Sequence, residues 1–273
     1  MAAPVSRVAV VGGGRMGEAL IEAAVNGGMS AGDIVAVEPD KARAAALRDS
    51  RGVKTAALAD AVPGADAVVL VVKPQVVADV LGALRGLLTD RQLIVSLVLG
   101  VPIDAIQQGA GRPSAAVVRA CPNLPIAYGK GLTAITAGEG VRPGQLRLAE
   151  SLFSAGGPVI GVAEPQLDVV SVVSGSSPAW YAYVVETMTD AGVLLGLSHQ
   201  LSALIAERSL TGAAALIENS GLSAVQVRAA VSSPGGSTIA GIRVLEERAV
   251  RGAFLAAAEA GVNRARAVAG KYR

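Results

Sequence analysis

The sequence predicts an α/β protein: a doubly wound parallel sheet over residues 1–163, then an all-helical segment over residues 164–273. Three observations carry that prediction. Nearly continuous apolar runs alternate with helix-length segments from Arg7 to about Val162, a glycine-rich turn joins the first run to the first helix, and the strand signal stops after Glu164. Strands that are apolar on both faces belong to a sheet covered by helices on both sides, and parallel neighbours need such crossover helices.

RVAVV, starting at Arg7, is the first strand, and a helix follows from Met16 to Asn26. DIVAVE is the next strand, with a helix from Asp40. ADAVVLVV follows, with a helix from Gln75 to Leu88. QLIVSLVL leads into a short helix, and SAAVVRA comes after it. LTAIT and PVIGVA, around a helix from Gly144 to Ser154, extend the same sheet, which is the doubly wound order. Beyond Glu164 we expect helices over 165–173, 178–195, 200–219, 223–230, 238–250 and 254–269, and Ser223 with Gln226 fits a capping box. Between 178 and 219 the only Asp, Glu, Lys or Arg residues are Glu186, Asp190, Glu207, Arg208 and Glu218. A helix apolar nearly all round must be buried on most faces, and a segment this short points to a second subunit as the cover.

Composition excludes several classes of function. A chain of 273 residues, 52% hydrophobic and 17% charged, is globular. A net charge of +2 with scattered Lys and Arg does not make a nucleic-acid surface, and 3% aromatic residues do not make stacking platforms. One cysteine, Cys121, and one histidine, His199, leave no disulfide framework and no Cys/His metal cluster within one chain. The longest uncharged run, 169–185, contains Ser-Gly-Ser-Ser-Pro and falls short of the roughly 20 apolar residues a membrane span needs. MAAPVSRVAVVGGG reads as a strand entry rather than a signal peptide, so the expected compartment is the cytoplasm.

Three loops of small residues each feed a helix: VVGGGRMGEAL near the N-terminus, VSGSSPAW at 173–180 and VSSPGGST at 231–238. Backbone N–H groups at a helix start, with the macrodipole behind them, receive anions. In the first loop Gly12, Gly14 and Gly17 fit G-x-G-x-x-G between a strand and a helix, and Glu38 ends the next strand, as the Rossmann dinucleotide fingerprint requires. Arg15 and Met16 lie inside that motif. A carboxylate at the ribose position favours a free 2′-hydroxyl, hence NADH, although Lys41 and Arg43 nearby weigh the other way.

Reduction of a carbonyl needs a proton donor, and the supply here is poor. His199 reads as a solvated cap at a helix start. Lys73, in VVKPQ, reads as part of a loop whose backbone shapes the pocket, with proton donation as the alternative; Tyr181 and Tyr183 read as packing. An imine escapes the demand, because it enters protonated and needs only a hydride and a hydroxyl to orient its nitrogen.

Together these stretches, with VVKPQVVADVL, VVRACPNLPIAYGKGLTAI, LDVVSVVSGSSPAWYAYVVETMTDAGVLLGL and VSSPGGSTIAGIRVLEE, resemble the pyrroline-5-carboxylate reductases of proline biosynthesis. The resemblance covers nearly the whole chain. It implies reduction of 1-pyrroline-5-carboxylate to L-proline by NADH or NADPH, with a helical C-terminal domain that forms a homodimer and assembles further, as a decamer built from dimers. By the same resemblance Gly235, Gly236, Ser237 and Thr238 bind the substrate carboxylate, and the Thr238 hydroxyl faces the ring nitrogen. Ser176 lines the substrate side, and Val72, Lys73, Pro74 and Cys121 join the glycine loop at the cofactor.

The sequence departs from the family pattern at Arg15, at Ser177 where a glycine is usual, and at Trp180, Cys121 and Arg208. Ser177 raises the sharpest question, because a Cβ there would crowd nearby backbone. A β-hydroxyacid dehydrogenase shares the two-domain plan but places a lysine on the long helix entering its second domain, and 178–195 contains none. An imine reductase for another substrate would keep the same cofactor domain. A sensor without turnover would have no use for SSPGGST.

Overall fold

A computed structural model of the chain describes residues 7–270. Its strands are β1 (Val8–Val11), β2 (Ile34–Val37), β3 (Lys54–Thr55), β4 (Ala67–Leu70), β5 (Leu93–Ser96), β6 (Ala116–Pro122), β7 (Thr133–Ala137) and β8 (Val159–Gly161). They form one sheet in the order β3-β2-β1-β4-β5-β6-β7-β8. The helices threaded among them are α1 (Arg15–Asn26), α2 (Lys41–Arg51), α3 (Leu58–Ala61), α4 (Pro74–Leu84), α5 (Ile103–Gly109) and α6 (Pro143–Ser151).

The expected all-parallel sheet needs one correction. β7 runs antiparallel to β6, with Val118 opposite Ala137 and Pro122 opposite Thr133. The physical reason is the connection. Residues 123–132 hold only the 3-10 turn Leu124–Tyr128, whereas a parallel return takes about a dozen residues or more and usually a helix. β3 was also not expected, because two residues at a sheet edge leave no periodicity to read.

Local chemistry sets the helix ends. The Asp40 side chain accepts the Arg43 N–H at the start of α2, Gly52 closes that helix in the left-handed conformation, and Pro74 occupies the first turn of α4. The sheet then buries both its faces. Val8 and Val10 pack on one side with Leu20, Ile21 and Phe153, while Ala9 and Val11 pack on the other with Val77, Leu84 and Ile106. Burying one such large side chain contributes about 1.5–3 kcal/mol.

The chain divides into two compact units: residues up to Ser176 together with those from Gly261 onward, and Ser177–Ala260. The first includes α7 (Leu167–Val173), which packs on β6 and β7, and the end of α12 (Val250–Ala269). A Cβ on Gly261 would lie 2.7 Å from Val172 Cγ1, so α12 approaches α7 too closely there for a side chain.

The second unit holds α8 (Ser177–Leu194), α9 (His199–Asn219), α10 (Ala224–Ala230), α11 (Ser237–Glu247) and the first part of α12. α8 and α9 pack where Gly192 meets Ser202; a Cβ on Gly192 would collide with the Ser202 hydroxyl. Ser223 and Gln226 form the expected capping box at α10. Among its described apolar residues only Ala206 and Val227 are buried, while Leu194 and Leu195 are 86% and 83% exposed. Such a unit has no core of its own within one chain, and an apolar surface this broad marks an interface. Among the described residues no helix is long and apolar enough to cross a membrane.

Candidate functional site

The carboxyl ends of β1, β2 and β4 meet at the point where the strand order reverses, between β1 and β4. In such sheets that is where ligands bind. The chain leaves β1 through Gly12, whose φ of +113° suits glycine and whose N–H donates to the Val37 carbonyl at 2.9 Å. A Cβ on Gly12 would strike the Val71 carbonyl oxygen, and one on Gly17 would strike the Gly12 carbonyl oxygen. A Cβ on Gly14, by contrast, meets nothing within 4 Å. The first glycine therefore permits the turn, the third lets α1 sit on β1, and the second leaves an open approach to the loop. This is the cradle a pyrophosphate requires. The Arg15, Met16 and Gly17 N–H groups at the start of α1 precede the first intrahelical bond, from Glu18 N–H to the Gly14 carbonyl at 2.9 Å, so they are available to an anion.

Glu38 stands at the end of β2, its side chain only 4% exposed. Its Oε2 accepts the Gly13 N–H at 2.9 Å, and its Oε1 accepts the Asp40 N–H and the Arg43 Nη2, each at 2.9 Å. Burial pushes its carboxyl up. The Arg43 hydrogen bond, the Asp40 and Gly13 amides and the Arg43 charge outweigh that and hold it below the ordinary range. A carboxylate offers about four lone-pair sites, so one on Oε2 is left for a ligand hydroxyl. The carboxylate thus fastens the glycine loop to the start of α2.

Val71 and Val72 lie directly against the glycine loop, and a Cβ on Gly12 would be 3.4 Å from Val72 Cγ1. Lys73 is exposed at the N-cap of α4 and Pro74 follows at its first position. Cys121 is near the carboxyl end of β6, two strands beyond β4. Burial pushes its thiol up to about 11, with Arg119 pulling down and Asp168 pushing up, so the thiol stays protonated at neutral pH.

Two features of this region were not foreseen. Arg119, with 8% of its side chain exposed, pairs with Glu164 at 3.0 Å, and the same carboxylate oxygen accepts the Ile103 N–H at 2.9 Å. Asn123 is a hub: its Oδ1 accepts the Leu132 N–H at 2.9 Å and its Nδ2 donates to the Ser174 carbonyl and hydroxyl at 3.2 and 3.0 Å. An Asn leaving a strand into a turn was the available signal for the second. Arg119 carried none, since one charge in an apolar strand does not name its partner. Ser176, half-buried, donates its N–H to the Val172 carbonyl at 3.1 Å in the turn that Asn123 holds through Ser174.

In the second unit Ser233, Pro234, Gly235 and Gly236 make a tight turn closed by the Gly236 N–H on the Ser233 carbonyl at 3.1 Å. Proline second and a glycine with φ of +70° third are the residues of a type II turn. Gly236 caps α11 without a side chain. The Ser237, Thr238 and Ile239 amides and the exposed Thr238 hydroxyl therefore stand together at one helix start. Ser177 is buried as the first residue of α8, and Ala249 is the only non-glycine with positive φ among the described residues. The serine is thus housed without backbone strain. His199 is exposed, and the cap it was expected to provide comes from Ser198, whose hydroxyl accepts the Leu201 N–H at 3.3 Å. Tyr181 and Tyr183, expected to pack, are 53% and 68% exposed in the single chain; Trp180 is half-buried and Arg208 is exposed.

A family profile described as pyrroline-5-carboxylate reductase dimerisation matches residues 164–268, and one described as NADP oxidoreductase, coenzyme F420-dependent, matches residues 7–100. A pyrroline-5-carboxylate reductase of Corynebacterium melassecola is 38% identical over 263 residues, covering 94% of this chain and 96% of the relative. The chain belongs to the pyrroline-5-carboxylate reductase family. A relative of the same description in Glycine max is 33% identical, covering 94% of this chain and 93% of its own. The structure of a pyrroline-5-carboxylate reductase from Coxiella burnetii superposes with a TM-score of 0.88 at 33% identity, covering 97% of this chain and 99% of its own. The Plasmodium falciparum pyrroline carboxylate reductase structure with NADP bound, at 23% identity and a TM-score of 0.87, shares the fold.

Proposed function

We propose that the protein reduces 1-pyrroline-5-carboxylate to L-proline with NADH or NADPH, the last step of proline biosynthesis. The observation that carries the reading is the start of α11, where three amides without intrahelical partners and the Thr238 hydroxyl offer a carboxylate and an adjacent ring nitrogen their hydrogen bonds. Kinship with reductases of that description over nearly the whole chain supports it.

The bound cofactor supplies a hydride. In the proposed reaction the substrate enters as its iminium, the carbon of the C=N bond gains a C–H bond, and the π pair settles on nitrogen as the amine lone pair. No residue has to deliver a proton at that step. Ser237, Thr238 and the Gly235–Gly236 turn hold the carboxylate, the iminium N–H donates to Thr238 Oγ1, and Ser176 lines the substrate side. Gly12, Gly14, Arg15, Met16 and Gly17 take the pyrophosphate; Val72, Lys73, Pro74 and Cys121 line the cofactor. The direct experiment is loss of reduced-nicotinamide absorbance with pyrroline-5-carboxylate, run in parallel with NADH and NADPH. No turnover with either would end this reading. We assign the activity to the cytoplasm.

We propose NADH as the preferred cofactor. Glu38 is held ionised and pinned by the Gly13 and Asp40 amides, so a 2′-phosphate would meet a fixed negative charge. The expected result is a higher kcat/KM with NADH for the parent and a ratio shifted toward NADPH in Glu38→Ala. A parent that favours NADPH, or an unchanged ratio, refutes the preference.

The working unit is proposed to be a homodimer through the C-terminal helices, since Ala206 and Val227 alone cannot hold Ser177–Ala260 together. A decamer of dimers is the proposed larger assembly. Light scattering at micromolar concentration is expected to give an even-numbered oligomer. A fully active monomer would contradict this.

A further inference from the structure

We infer that Asn123 is a positioning residue for the proposed reduction: its side-chain amide ties the turn that carries Ser176 to the end of β6, the strand that brings Cys121 to the cofactor. The inference rests on the reductase reading of the site, and it goes beyond that reading by assigning what sets the substrate side against the cofactor side. All the residues it uses belong to the first unit.

Three observations carry it. Arg119, Cys121 and Asn123 fall at every second position along the extended end of β6, so they face one way, toward the segment that contains α7. Each meets a different point of that segment. Arg119 pairs with Glu164 just before α7, Cys121 lies close enough to Asp168 in the first turn to feel its charge, and Asn123 reaches Ser174 at the far end. Asn123 is the contact nearest Ser176.

The two ends of the Asn123 amide have separate tasks. The Leu132 N–H is a donor and the Ser174 carbonyl an acceptor, so Oδ1 must face the first and Nδ2 the second. The oxygen holds the connection between β6 and β7, and the nitrogen holds the turn. That turn is itself tightly built: the Ser174 and Ser176 N–H groups donate to the Val170 and Val172 carbonyls at 2.8 and 3.1 Å, and a Cβ on Gly175 would collide with the Ser171 carbonyl oxygen. It therefore moves as one piece with the end of α7, and Asn123 Nδ2 fixes where that piece stands against β6.

Asn123→Asp tests the nitrogen alone. The aspartate keeps an acceptor for Leu132 and puts an oxygen where the donor stood. Ionised, that oxygen repels the Ser174 carbonyl; protonated, it donates its O–H there and restores the tie. Partial burial and the facing carbonyl both raise such a carboxyl above its ordinary value of about 3.9, into a range where rates are measurable.

The measurement is kcat/KM for pyrroline-5-carboxylate of Asn123→Asp and Asn123→Ala, each as a ratio to the parent, from about pH 5 to about pH 8. The ratio removes the titration of the substrate. At the upper end both variants are expected about tenfold or more below the parent, the factor for a lost hydrogen bond that leaves a carbonyl unpaired. As pH falls the Asn123→Asp deficit should shrink by about threefold or more, while Asn123→Ala, with no proton to regain, stays low throughout. NADH affinity by fluorescence should stay within about twofold, since the glycine loop is untouched, and circular dichroism should show both variants folded across the range. A flat Asn123→Asp ratio, the same recovery in Asn123→Ala, a parallel loss of NADH affinity, or unfolding in step with the rate would overturn the inference. A parent without turnover ends the reductase reading and this inference with it, whereas an active parent beside a flat ratio ends the inference alone.

Discussion

Gly17→Val should weaken dinucleotide binding by about a hundredfold or more. Gly17 is buried, a Cβ there would collide with the Gly12 carbonyl oxygen, and Val10 Cγ1 stands 4.0 Å away on the strand beneath. The clash is with backbone rather than with a flexible side chain. α1 must therefore lift off β1, and the amides of Arg15, Met16 and Gly17 move with it. Displacement of positioning groups by about 1 Å costs on the order of a hundredfold, so the Kd for NADH measured by fluorescence should rise at least that much. Some loss of Tm should accompany it, since the helix also packs Leu20 and Ile21 into the core. Gly14→Ala separates the two effects. Gly14 has φ of −70°, which alanine adopts freely, and its Cβ meets no protein atom, so that variant should keep the parent Tm and still lose affinity by placing a methyl where the pyrophosphate must come. If Gly14→Ala binds NADH as the parent does, the loop is only a tight turn.

Most of the first unit was legible because its signals are local and repeat. Apolar runs such as AVVL at β4 and LIVS at β5, set between helix-length segments, read as strands buried on both faces, and the glycine motif marks the tight turn between β1 and α1. The direction of β7 was not legible, because strand direction depends on what the connecting residues can span rather than on the strand itself. The same limit applied to charges. The sequence marks Glu38 as an acidic residue ending β2, but its bond to the Gly13 amide, 25 residues back in the chain, is set by two loops meeting at one sheet edge. Asn123 and Arg119 gained their roles in the same way, from Ser174 and Glu164 across long stretches of sequence. In the second unit the helices were legible from their length, while their apolar surfaces foretold a cover that one chain does not contain.

Thr238→Val should lower kcat/KM for pyrroline-5-carboxylate by about ten- to a hundredfold, the equivalent of roughly 1.5–3 kcal/mol for one hydrogen bond to a charged partner. The substitution keeps the β-branched shape, and with it the χ1 preference of the second residue of α11, and removes only the hydroxyl. Backbone N–H groups at that helix start survive the change, so the carboxylate should still be held and much of the loss should fall on kcat. NADH affinity should stay constant, because the glycine loop is untouched. Ser232→Ala is the control: the Ser232 hydroxyl donates to the Arg228 carbonyl at 2.7 Å, closing the end of α10, so its removal disturbs the same loop without touching the proposed substrate contacts and should cost less. If Thr238→Val turns over at the parent rate, the hydroxyl does not orient the ring nitrogen. That orientation would then have to come from Lys73 or a bound water, which Lys73→Met would distinguish by whether the rate falls.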